Sequence, residues 1–204
     1  MTEQLPMSAG PAEDAGDAGR AEIYLLLGAL LAGPPDDAVL ELLQEIDDGD
    51  AEPTPMTEIW RSLQAAARQA DIEQLSDEYF NLFIGLGRGE VVPYASFYIH
   101  GFLMEKVLAS LRNELQTLGF ELQEGISEPE DHVAALCETM GMIISESGLS
   151  FEEQSDFFKT YLASWMMDFF ADLREAESAV FYKAVAQLGQ QFMEVESQYL
   201  SMPA

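Results

Sequence analysis

The chain holds only two imidazoles, His100 and His132, the side chains most often used for acid–base or metal chemistry near neutral pH. No HExxH occurs, and no Glu-x-x-His pair, so the zinc-protease and di-iron bundle spacings are both missing. Thirty-seven acidic residues make chance carboxylate pairs common, so such pairs point nowhere. Residues 85–89 read Gly-Leu-Gly-Arg-Gly, which looks like a loop for cradling phosphate. The spacing is that of neither nucleotide fingerprint, and the loop follows a helical pattern where both fingerprints need a strand. The competing reading is a helix end with a glycine turn. Catalysis, a cofactor and a metal are therefore not expected.

Two runs remain that could hold a ligand. Residues 127–132 read Ser-Glu-Pro-Glu-Asp-His. Ser127 with Glu130 fits a helix capping box, and Pro129 fits a first helical position. Capping leaves only His132 unexplained, on an edge shared with Leu136. Upstream, residues 88–102 crowd a glycine turn, Pro93, several aromatics and His100 together. Pro93 holds Val92 out of helix geometry, so the chain must turn there. Ser96 can cap the helix that follows. Tyr94 and Tyr98, four apart, pair apolar faces with polar tips, which suits a peptide groove as well as ordinary core. Phe97 and Phe102 are the expected core residues of this stretch.

These runs sit among helices. Residues 1–18 are Gly, Ala, Pro and acid without periodicity and read as a disordered acidic tail. Helices are expected at about 19–32, 36–46, 55–69, 75–86, 96–118, 129–146, 151–176 (one or two) and 178–199. Leu75, Tyr79, Leu82, Phe83 and Leu86 mark one apolar face. No stretch alternates over a strand's length. The fold class is all-α: one globular domain over residues 19–200, a bundle of roughly eight to ten helices. It is either a single body or two subdomains joined by a hinge at about 120–128.

Bulk numbers narrow the partners. The net charge is −28, from 37 acidic against nine basic residues. That surface repels phosphate backbones, so nucleic acid is not expected, and it attracts a basic peptide or serves solubility alone. Cys137 is the single cysteine, which suits a reducing cytoplasm. The apolar run from Ile23 to Leu31 lacks a basic flank and is too short to span a bilayer, so no export signal and no stable membrane insertion are expected.

Three segments in order resemble one family: Tyr79 to Gly85, Pro93 to Tyr98, and Glu128 to His132. Together they are similar to the signature run of the TorD/DmsD/NarJ redox-enzyme maturation chaperones. The likeness extends over about residues 20–200 by length and helix content, and its specific part is about residues 79–140. The resemblance implies a cytoplasmic chaperone, not an enzyme. It would bind the twin-arginine signal peptide and the apo-form of a molybdoenzyme catalytic subunit until molybdopterin is inserted. It also implies a peptide-binding site at Tyr94, Ser96 and Tyr98 with Glu128, Pro129, Asp131 and His132. In that picture Asp131 and Glu128 supply acid for the arginines and the tyrosines an apolar surface. The chain would be a monomer or a dimer formed by exchange of C-terminal helices across the hinge. A helical adaptor for a partner helix, or a weak GTP-binding protein using the glycine loop, is the alternative.

Overall fold

A computed structural model describes residues 11–46, 54–101, 105–120, 129–146 and 148–202. Among these the chain forms ten α-helices and one π-helical turn, with no strand beyond an isolated bridge. The helices are α1 (Pro11–Ala32), α2 (Asp37–Glu45), α3 (Pro55–Gln69), α4 (Ile72–Tyr79), α5 (Ala95–His100), α6 (Glu105–Thr117), α7 (Val133–Ser145), α8 (Phe151–Tyr161), α9 (Met166–Glu175) and α10 (Phe181–Tyr199). The all-α expectation holds.

The first helix starts at Pro11, inside the stretch expected to be a disordered tail. Proline suits a first helical position, and Ala12, Ala15 and Ala18 are strong helix formers. Asp17 pairs with Arg20 one turn on, at 2.7 Å. Residues 1–10, and the hinge expected at about 120–128 beyond Phe120, lie outside the described residues.

Three helix starts carry local side-chain caps. Asp36 accepts the Val39 amide, Thr54 forms a capping box with Thr57, and Ser150 forms one with Glu153. Each such cap contributes about 1 kcal/mol.

Helices α1 and α7 cross closely at two glycines. A Cβ on Gly28 would lie 2.8 Å from Glu138 Cγ, and one on Gly141 would lie 2.9 Å from the Leu25 side chain. The apolar stripe of α7 (Val133, Leu136, Cys137 and Met140) is buried there. On the other side α10 packs on α3 and α9, and Gly189 admits the Phe170 ring. The core between these layers is aromatic. Trp165, Tyr24, Tyr182, Phe158, Phe169 and Phe170 are all fully buried. Their polar tips are satisfied: Trp165 Nε1 donates to Tyr161 O at 2.7 Å, and the Tyr182 hydroxyl donates to Leu30 O at 2.9 Å.

Buried carboxylates tie distant helices together. Glu78 of α4 accepts the amides of Val180, Phe181 and Tyr182 at 2.7, 3.2 and 2.8 Å, so it caps the start of α10. Glu196 of α10, fully buried, takes Arg20 of α1 at 2.6 Å, and Arg20 also lies over the Tyr199 ring.

Two helices end earlier than their periodicity suggests. The face through Leu75 and Leu82 is buried, but Leu86 is fully exposed. The helix widens into a π turn over Phe80–Ile84, and Gly85, at φ 60°, turns the chain away before Leu86. The helix expected over about 96–118 is broken at Gly101, whose left-handed φ of 79° ends α5.

Candidate functional site

Local sequence explains why the segments around 93–96 and 129–133 meet. Pro93 forces extended backbone and Gly89 lets the preceding loop fold onto the helix behind it. Glu90 and Val91 then donate their amides to Asn81 O and Leu82 O at 3.1 and 2.8 Å. This delivers Tyr94 to His132 as an isolated antiparallel bridge. Ala95 N donates to Asp131 O at 3.0 Å and Val133 N donates to Pro93 O at 2.9 Å. The Asp131 carboxylate accepts the Ser96 amide at 3.0 Å. The Tyr94 ring stands edge-on to the His132 ring, centroids 5.1 Å apart.

His132 is the N-cap of α7, and its Nδ1 accepts the Ala134 amide at 3.2 Å. A main-chain N–H can only donate, so Nδ1 carries no proton and the neutral ring keeps its proton on Nε2. His132 thus caps α7. Ser127, one half of the expected Ser127–Glu130 box, and Glu128 lie outside the described residues.

Burial divides the expected site residues. Ser96 and Asp131 are each 1 % exposed and His132 is 6 % exposed, so these three brace the turn from inside. Tyr94, Tyr98 and Pro129 are half-buried. Tyr98 looks toward α9: its hydroxyl donates to Asp172 at 3.0 Å, and its ring packs against Trp165 and Phe169. Burial, and then the Asp172 hydrogen bond, push its phenol well above the usual range. Ser96 does not cap α5. Its hydroxyl is buried and makes no hydrogen bond among the described residues, while Asp131 caps that helix from a distance.

Against this brace lies a cavity of about 280 Å³ between α5, α6, α7 and α8. Ile99 and His100, Leu111, Asp131 with Leu136, and Tyr161 line it. Its walls are mostly apolar, with Asp131 as the acid among them. Nothing in the sequence marks Ile99, Leu111 or Tyr161 beyond ordinary helical apolarity. Ile99 sits one turn beyond Ala95 on the same helix face, and that spacing was the available signal.

Beside the cavity, Arg112 of α6 donates to Glu130 at 2.7 Å. Burial works to raise the Glu130 carboxyl, but the Arg112 hydrogen bond and charge, with a main-chain bond, outweigh it and hold it below the usual carboxylate range.

The glycine loop is a tight return. A Cβ on Gly85 would fall 2.1 Å from Arg88 O, and one on Gly89 would fall 2.4 Å from Leu82 O. Gly85 N donates back to Phe80 O at 2.7 Å, and the Arg88 guanidinium stacks 4.9 Å from the Phe97 ring centroid. Its amides at 85, 90 and 91 are turned onto the preceding helix rather than outward. Among the described residues no cluster of metal-ligating side chains occurs, and no helix is long and apolar enough to cross a membrane.

Comparison with known proteins puts this geometry in company. The family model for the nitrate reductase delta subunit matches residues 49–171, which include the brace and the cavity lining. A protein named chaperone protein TorD from Vibrio parahaemolyticus is 26 % identical over 202 residues, covering 89 % of this chain and 94 % of that one. Its namesake from Shewanella pealeana is 24 % identical, covering 90 % of each. The crystal structure of a chain described as a redox enzyme maturation protein, from Archaeoglobus fulgidus, superposes with a TM-score of 0.58 at 23 % identity. That alignment covers 95 % of this chain and 99 % of that one, and it speaks for a shared fold.

Proposed function

The chain belongs to the nitrate reductase delta subunit family, and from that membership we propose how it serves as a chaperone in molybdoenzyme maturation: it holds the client's basic signal peptide in the cavity between α5 and α8. The client is a molybdoenzyme catalytic subunit in its apo-form, met in the cytoplasm. A twin-arginine peptide joins basic residues to an apolar tail, so its site must combine acid with an apolar wall. The observation that carries the reading is the cavity itself: mostly apolar walls backed by the buried Asp131, in a chain whose net charge of −28 draws in basic residues. Long-range attraction speeds encounter and the apolar walls hold the tail.

The buried residues of the expected site have a different part from the exposed ones. Ser96, Asp131 and His132 fix the angle between α5 and α7, and so the shape of the cavity. Ile99 and Tyr161 offer the surface the peptide meets. Tyr94 and Tyr98 border the brace from either side. Holding requires no bond to be made or broken, so no catalytic residue is assigned.

Affinity capture from the native cytoplasm tests the reading. The expected catch is a molybdoenzyme catalytic subunit that lacks its cofactor and retains its signal peptide. Recovery of the finished, cofactor-loaded enzyme alone would instead indicate an adaptor.

A further inference from the structure

Glu130 is 8 % exposed, and its two carboxylate oxygens have different surroundings. Oε1 accepts the Arg112 guanidinium at 2.7 Å, while Oε2 is buried and accepts no hydrogen bond among the described residues. A carboxylate can take a guanidinium through both oxygens at once, and leaving one acceptor unfilled in the interior is costly. The two partners also differ in exposure: Arg112 is 50 % exposed at the side chain and Glu130 is not. The pair adjoins the cavity through its chain neighbours, since Leu111 and Asp131 both line it. Asp131 itself is committed, its carboxylate to Ser96 N and its carbonyl to Ala95 N.

We propose that Glu130 is the carboxylate that receives an arginine of the client peptide, and that Arg112 holds its place in the free chaperone. This rests on the reading of the cavity as the seat of a basic peptide. An arriving guanidinium displaces the half-exposed Arg112 and pairs with Glu130 through both oxygens. Arg112, whose side chain is half exposed, gives up Glu130 in the exchange. The arrangement selects arginine over lysine, since an ammonium group cannot present two parallel N–H bonds to one carboxylate. It also keeps a buried carboxylate paired while no client is bound.

The two partners therefore have opposite effects on binding, which a structural ion pair would not. The test is calorimetric titration of wild-type, Arg112→Gln and Glu130→Gln proteins. The probes are a synthetic peptide with two adjacent arginines ahead of an apolar run, and its double-lysine counterpart. Arg112→Gln is expected to bind the arginine peptide about fivefold more tightly, the equivalent of about 1 kcal/mol for losing a half-exposed competitor. Glu130→Gln is expected to bind it at least fivefold more weakly and to lose most of its preference over the lysine peptide. Unchanged or weaker binding by Arg112→Gln overturns the proposal, and that variant decides the matter alone should Glu130→Gln fail to fold. If the wild-type protein binds neither peptide, the reading of the cavity falls and this assignment with it. Binding by the wild type without a gain in Arg112→Gln overturns the assignment only.

Discussion

The Asp131 carboxylate accepts the main-chain amide of Ser96 at 3.0 Å across 35 residues of sequence. It does for α5 what a local serine or aspartate does for most helices, and it adds a tie between the two segments that frame the cavity. Asp131→Ala removes a charged acceptor from a buried amide and should cost about 1–3 kcal/mol of stability. Peptide affinity should fall with it, because the cavity loses its brace. Asp131→Asn keeps an acceptor and should lose less of both. Denaturant unfolding and peptide titration on the same samples check this, and an Asp131→Ala protein of native stability would show that the tie is idle.

Glu78 is the second long-range cap, accepting three successive amides at the start of α10. Glu78→Ala strands those amides in a nearly closed environment and should cost about 2–3 kcal/mol. The site lies away from the cavity, so affinity for the peptide should stay within twofold at temperatures where the variant is folded. Thermal melting and titration separate the two effects.

The glycines of the 85–89 return differ in what they tolerate. Gly87 has φ 99° with open space around it, so Gly87→Ala should cost about 1 kcal/mol. Gly89 abuts Leu82 O and Phe83, and Gly89→Ala must move main chain, at about 3 kcal/mol. Because Gly89 lets the loop turn toward Tyr94, its substitution should also weaken the peptide site, whereas Gly87→Ala should not. Comparing melting temperatures and peptide affinities of the two variants is sufficient.

Acid should loosen the Arg112–Glu130 pair. The folded chain holds the Glu130 carboxyl below its ordinary value of 4.5, so the unfolded chain binds the proton more readily. The pair's contribution is thus present above pH 4.5 and is lost as pH falls below it toward the folded value. Arg112→Gln should therefore flatten the fall in stability on that acid limb. Equilibrium unfolding of both proteins between pH 3 and 6, at about half-unit steps, measures the difference.

Much of the fold is written in local signals. Asp36, Thr54 and Ser150 each stand at an N-cap with the amide they serve three residues on, and the α7 stripe follows a helical period, so these elements are readable one at a time. Gly101 and Leu86 show the limit. Glycine at the end of a short apolar pattern and glycine inside a long helix look alike in sequence, and only packing decided for a break. The site was legible as two segments but not as a geometry. Asp131 read as a surface acid because neither its partner Ser96 nor its depth is a local property. Glu130 read as a cap because its partner Arg112 lies 18 residues back on another helix. Ile99, Leu111 and Tyr161 carried no signal beyond ordinary helical apolarity, since a cavity belongs to four helices at once.

The most direct measurement is a calorimetric titration of a twin-arginine peptide into the wild-type protein and into Ile99→Ser. Ile99 is 39 % exposed on the cavity wall, so the substitution removes apolar contact area for the peptide and little of the core. The account predicts binding to the wild type and affinity at least fivefold lower in Ile99→Ser, at equal thermal stability. Equal affinity in the two proteins would place the peptide elsewhere on the chain and contradict the assignment of the cavity.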